Sequence, residues 1–98
     1  MNIVWSPTAR KNVSKILEYI SKDNPKAALS LVGQFESKVE ALRENPEAGR
    51  TLPEANNYNI REIVVHKNYG VIYEVNQESI EILTVRHFRQ KFSASKLR

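Results

Sequence analysis

One histidine and three arginines in the second half of this 98-residue chain could together handle a phosphate group. Imidazole is the side chain best suited to giving and taking protons near neutral pH, and His87 supplies one. Arg61, Arg86 and Arg89 carry guanidinium groups, which hold phosphate in a two-pronged fork. Tyr69 and Phe88 offer flat rings on which a base could stack. Cleavage of RNA by its own 2′-hydroxyl needs a base, a cation to stabilise the charged phosphorane, and an acid for the leaving oxygen. Arg61, Arg86, His87 and Arg89 include all three types. From Arg86 to Arg98 the chain reads RHFRQKFSASKLR, with five Lys or Arg residues, Lys91 among them, and no Asp or Glu. Such a segment attracts an anionic partner at long range.

The same residues also have plain structural roles. His87 ends an apolar run and could bond a carbonyl there, while His66 falls in an expected turn and is expected to be solvated. Arg61 could pair with Glu62, Glu74 or Glu81 across a sheet, a contact worth roughly 0.2–1 kcal/mol. Arg50 follows Gly49 and could anchor a loop through its carbonyls. Trp5 and Tyr19 read as packing residues. No metal site is expected: two histidines stand far apart, cysteine is absent, and no carboxylates pair at ligand spacing. There is no glycine-rich phosphate loop and no Ser-His-Asp arrangement, so no cofactor is expected.

The elements that must position these residues follow from periodicity. Residues 2–5, Asn-Ile-Val-Trp, read as a short strand. Ser6-Pro7 then starts a helix, since serine caps free amides and proline suits the first turn. Ala9, Val13, Ile16, Leu17 and Ile20 recur at helical spacing. Asn24-Pro25 repeats the start signal, and Ala28, Leu31, Val32, Phe35, Val39 and Leu42 mark a second apolar stripe. Pro46 disfavours helix at Asn45. The short link predicts an antiparallel helical hairpin over about 7–45. Residues 46–57, PEAGRTLPEANN, read as a loop rich in breakers. Strands are expected at 58–65, 69–75 and 79–86, joined by turns short enough for an antiparallel meander. The prediction is an α+β fold of order β-α-α-β-β-β: the hairpin packs on one face of a small, mainly antiparallel twisted sheet, followed by a basic segment, 87–98. The opposite sheet face is expected to stay partly open.

Length and composition point to a single domain over 1–98 with one modest core. Apolar residues make up 41% and charged residues 27%, as in ordinary globular proteins, which argues against disorder. Disulfides are excluded by the lack of cysteine. No apolar run approaches the roughly 20 residues that cross a bilayer, so no membrane partner is expected. The first residues lack a signal-peptide layout, and a cytoplasmic protein is expected. The net charge of +4 favours acidic partners.

The motifs W-S-P-x-A (Trp5 to Ala9), Y-I (Tyr19-Ile20), N-P-x-A-A (Asn24 to Ala28) and L-x-x-N-P-x-x-G-R (Leu42 to Arg50) occur in order. They are followed by I-R-E-I-V (Ile60 to Val64), Y-G-V-I-Y-E-V (Tyr69 to Val75) and I-L-T-V-R-H-F-R-Q (Ile82 to Gln90). In this order and spacing the chain resembles the RelE/ParE superfamily of toxins from bacterial type II toxin–antitoxin pairs, and its ParE-like, plasmid-stabilisation branch more than the RelE ribonucleases. The resemblance implies a growth-arresting toxin in a hetero-oligomer with a cognate antitoxin, whose extended end wraps the helices and sheet. It implies DNA gyrase as the favoured target, bound without bond chemistry through Arg61, Tyr69, Arg86, His87, Arg89 and Lys91. The alternative it implies is a ribosome-dependent mRNA endonuclease using Arg61, Arg86, His87 and Arg89. Against the RelE-type strand, Gly70 stands where those enzymes carry a catalytic arginine, Ile63 where another lysine would lie, and Phe92 lacks the hydroxyl of their terminal tyrosine.

Overall fold

The computed structural model describes residues 1–88. The chain runs β1 (Asn2–Trp5), α1 (Pro7–Asp23), α2 (Pro25–Glu40), a 3-10 turn (Ala41–Arg43), β2 (Arg50–Thr51), a second 3-10 turn (Pro53–Ala55), β3 (Ile60–His66), β4 (Tyr69–Val75) and β5 (Ser79–His87). The five strands form one sheet in the order β1-β5-β4-β3-β2. β1 lies parallel to β5, and the other neighbours are antiparallel. The architecture is thus α+β, with two helices on a mixed, mostly antiparallel sheet.

Both helices start where the sequence signals them. The Ser6 hydroxyl accepts from the Ala9 N–H at 3.0 Å and donates to the Leu83 carbonyl at 2.8 Å, so one side chain caps α1 and fastens it to β5. Asn24 alone separates the helices. Its N–H closes α1 on the Ile20 carbonyl at 2.9 Å, and its side chain accepts from the Ala27 N–H at 3.1 Å to open α2. Pro25 takes the first helical position, where a missing N–H is not felt.

One apolar core lies between the helices and the sheet. Ala9, Leu31, Phe35 and Val39 meet Val71, Tyr73, Ile80, Ile82 and Val85. On the opposite sheet face a smaller cluster of Leu52, Ile60, Ile72 and Leu83 is buried with Ala55 packed against it. The register of β4 and β5 shifts at Ile72/Tyr73, leaving Leu83 unpaired between Ile82 and Thr84. This bulge lets Ile82 and Val85 both face the helices while Leu83 joins the second cluster.

The structure departs from the sequence expectations in four places. The 46–57 stretch contains a two-residue strand, β2, which pairs Arg50 with Glu62 and Thr51 with Arg61 and makes the order β-α-α-β-β-β-β. Helical geometry in α2 ends at Glu40, and Leu42 reaches the core from the 3-10 turn instead. β3 begins at Ile60, not Tyr58, and extends to His66. Tyr19 is 75% exposed and packs little, whereas Trp5 does lie against the core.

Candidate functional site

The sheet face away from the helices, expected to stay partly open, is covered over Leu52, Ile60, Ile72 and Leu83, and it carries a buried acid. Glu62 on β3 lies directly opposite Ile72 on β4, so it shares the face of the smaller apolar cluster. It is 2% exposed, and among the described residues it is the buried charged one. A carboxylate withdrawn from water must be fully bonded. Arg86 of β5 supplies two bonds, Nε to Oε2 at 2.7 Å and Nη2 to Oε1 at 2.9 Å. Arg50 of β2 adds a third, Nη2 to Oε1 at 2.9 Å. The acid therefore bridges β2, β3 and β5 across the intervening β4.

Gly70 makes room for that bridge. It pairs with Val64 on one side and Arg86 on the other. A Cβ at Gly70 would stand 2.5 Å from Glu62 Oε2 and 3.0 Å from the Phe88 ring. The position that carries a catalytic arginine in RelE-type enzymes is here empty of side chain, and the Glu62 carboxylate lies against it. Phe88 covers the Arg86 guanidinium, 5.7 Å from its ring centre. The Glu62 hydrogen bonds hold the Arg86 pKa above the ordinary guanidinium value against partial burial, which lowers it, and Coulomb attraction to the same acid adds to the rise.

A second set of bonds fixes the loop before β2. The Tyr73 hydroxyl accepts from the Gly49 N–H at 2.8 Å and donates to the Pro46 carbonyl at 2.8 Å. Burial, the largest influence on Tyr73, raises its pKa above the ordinary 10.0, against the opposing pull of the Gly49 N–H and the Arg61 charge. Arg61 donates to the Gly49 carbonyl at 2.8 Å and to the Glu47 carbonyl at 3.4 Å. A Cβ on Gly49 would stand 2.6 Å from the Tyr73 hydroxyl and 2.8 Å from the Glu62 carbonyl oxygen, which requires glycine there. Residues of the motifs N-P-x-x-G-R, I-R-E, Y-G-x-x-Y and V-R-H-F, dispersed in sequence, thus meet in two adjoining sets of bonds, one around Glu62 and one around Tyr73.

The expected site residues divide accordingly. Arg61 and Arg86 fall on opposite faces of the sheet, Arg61 across from Tyr73 on the helix side and Arg86 across from Gly70 on the other, and their guanidinium groups are engaged with the loop carbonyls and with Glu62. Arg50 and Arg61 exchange the roles expected of them: Arg61 bonds the loop carbonyls and Arg50 the acid. Tyr69 and His87 come together as opposite residues of β4 and β5, with ring centres 5.0 Å apart and an edge-on angle of 84°. His66 closes β3 half-buried, its Nδ1 accepting from the Asn68 N–H at 3.4 Å and its ring 6.2 Å from Tyr69. A hollow of about 350 Å³ lies beside these rings, lined also by Ser30, Gln34 and Asn68. Arg89 and Lys91 lie outside the described residues. Among the described residues, no three His, Cys, Asp or Glu side chains group as metal ligands would. Glu62 is not among the site residues expected from the sequence, although its spacing from Ile60 on one strand face marks it as an acid on an apolar face.

A model of the ParE toxin of the type II toxin–antitoxin system parDE matches residues 3–92. The chain belongs to this toxin family. It is 34% identical over 91 residues to Y4kP of Sinorhizobium fredii, assigned as a toxin, covering 92% of this chain and 91% of that protein. It is 29% identical over 85 residues to toxin RelE2 of Caulobacter vibrioides, covering 87% of this chain and 92% of the relative. Among solved structures, a chain of the chromosomal ParDE toxin–antitoxin system of P. aeruginosa shares the fold, with a TM-score of 0.74 at 19% identity over 89% of this chain and 95% of that one. The ParE-family chain is therefore a toxin of the RelE/ParE superfamily, from a type II toxin–antitoxin pair.

Proposed function

We propose that this toxin arrests growth by binding its target, with DNA gyrase first in line, and that it performs no bond chemistry of its own. The observation that carries this reading is the arrangement around Glu62. A ribonuclease of RelE type needs an unencumbered cation where the scissile phosphate sits, and electrostatic stabilisation of that kind contributes several kcal/mol, about 2.7–4 per donor. Here the strand position in question is Gly70, and Arg86 is already paired with a buried carboxylate. The match to the ParE model over residues 3–92 supports the same branch. Gyrase acts on chromosomes and plasmids, so the toxin would work in the cytoplasm. The basic residues from Arg89 onward would add contacts to gyrase or to its DNA.

Neutralisation by a cognate antitoxin completes the proposal. Two features suit an added segment. Among the described residues β1 is an edge strand, with Val4 49% exposed, and its outer side suits pairing with an added strand. An apolar hollow of about 330 Å³ lies between the helices, lined by Trp5, Val13, Val32 and Phe35.

The alternative, a ribosome-dependent mRNA endonuclease, draws support from His87 and Tyr69, which stand together at a strand end as a proton-transferring group and a stacking ring would. Two assays separate the readings. Purified gyrase should lose supercoiling activity on adding the toxin, and a cell-free translation reaction should show no cuts in A-site codons. Cuts together with unimpaired supercoiling would reverse the assignment.

A further inference from the structure

Glu62 is held the way a bound phosphate would be held. Arg86 grips both of its oxygens with Nε and Nη2, and Arg50 reaches Oε1 from the neighbouring edge strand, all at 2.7–2.9 Å. A planar fork closed on two oxygens is the geometry by which guanidinium binds carboxylate and phosphate alike. A phosphate brought to the same donors meets a carboxylate already seated on them. Gly70 has no side chain at the fork, and the space a Cβ would take is filled by the Glu62 carboxylate and the Phe88 ring. The fork is flanked by exposed groups: the Arg50 side chain is 55% exposed and Phe88, beside Arg86, is 37% exposed.

We propose that Glu62 is a built-in counter-anion, occupying the arginine fork on the sheet face away from the helices and closing it to phosphate, so that the surface around Arg50 rejects a polynucleotide backbone and is left to a protein partner. The inference rests on the reading of the chain as a toxin that acts by binding. It assigns to Glu62 the choice between two classes of partner, and to Gly70 the space in which that choice is made.

The test uses the full-length toxin and its Glu62→Ala variant, with inorganic phosphate and a labelled single-stranded oligonucleotide as probes, at matched ionic strength with chloride as control. Removing the carboxylate should strengthen binding of both probes about tenfold or more, the scale of a charge-assisted hydrogen bond. The melting temperature of the variant should rise with phosphate, while that of the wild type follows chloride alone. A Glu62→Ala chain that does not fold by itself should be folded by phosphate or formate, read by circular dichroism, because either anion refills the fork. Adding Arg50→Ala to the variant should remove most of the gain. The proposal is overturned by a folded variant with no gain, by an unfolded variant that no anion rescues, by a gain that survives loss of Arg50, or by wild-type binding as tight as the variant's. None of these readouts contains gyrase or ribosomes, so a failed gyrase assay and a failed phosphate assay remain separate results.

Discussion

The Tyr73 hydroxyl stands between the Gly49 N–H and the Pro46 carbonyl, 2.8 Å from each, and so joins the central strand to a loop more than twenty residues earlier. Tyr73 is fully buried, and water does not replace a missing hydroxyl there without rearrangement. Tyr73→Phe keeps the ring and strands one backbone donor and one acceptor. Its unfolding free energy should fall by about 1–3 kcal/mol, the cost of leaving a buried polar group unpaired. Urea denaturation measures this directly. An unchanged midpoint would show that the loop does not depend on the hydroxyl.

The same residue gives the fold an alkaline limit. Burial raises the Tyr73 pKa above 10.0 in the folded state, so the unfolded chain loses this proton first as pH rises. The unfolded state then binds fewer protons than the folded one, and stability falls with pH. The Tyr73 contribution is complete below pH 10.0 and is lost as pH climbs from there through the raised folded value. Thermal melts of wild type should therefore drop in that window more steeply than those of Tyr73→Phe. Parallel curves for the two proteins would remove Tyr73 from the alkaline transition.

Much of this fold was legible in the residues. Ser6-Pro7 and Asn24-Pro25 mark the helix starts, because capping and a fixed proline φ act locally and leave a local signature. The three long strands announce themselves by alternation and by short polar turns. β2 does not, since two residues in a stretch rich in proline and glycine have no period of their own and are strand only because Arg50 and Thr51 meet Glu62 and Arg61. That register also decides which arginine takes the acid and which the carbonyls, a choice invisible to a one-dimensional reading. Tyr19 misled because a tyrosine beside an apolar stripe resembles a member of it. Glu62 is the instructive omission. In I-R-E-I-V it occupies the face of Ile60, where an acid implies a buried partner, and Gly70 and Arg86 are the residues the sheet brings to it.

Arg86 should behave as a fold residue in mutagenesis. Its side chain is 16% exposed and that of Glu62 is 1% exposed, so Arg86→Glu would set one carboxylate against another with little solvent to screen them. Breaking a buried pair by removing one partner costs about 3–5 kcal/mol, a large share of the roughly 5–15 kcal/mol that keeps a domain folded. The variant should be insoluble or melt far below wild type. Loss of toxicity in it then reports folding, and the basic end is better probed by Arg89→Glu with Lys91→Glu. A soluble Arg86→Glu protein with a wild-type melting temperature would show that the Glu62 pair contributes nothing to the fold.

His87 is the residue that separates binding from catalysis. It closes β5 opposite Tyr69, with the two rings edge-on at 5.0 Å, and it is half-buried where the sheet meets solvent. His87→Ala removes the edge-on contact with Tyr69, and a melt of the variant reports what the side chain contributes to the fold. A general acid or base contributes about 10²–10⁴-fold to a rate. Should the toxin be a nuclease, this variant would lose A-site cleavage by that factor and lose growth arrest with it. On the binding reading, removing one imidazole from a contact surface trims affinity modestly, and expression without antitoxin still stops growth. Colony counts after induction, set beside a melt of the purified variant, give the answer. Growth at the rate of an empty-vector strain by a well-folded His87→Ala protein would move the assignment from gyrase binding to RNA cleavage.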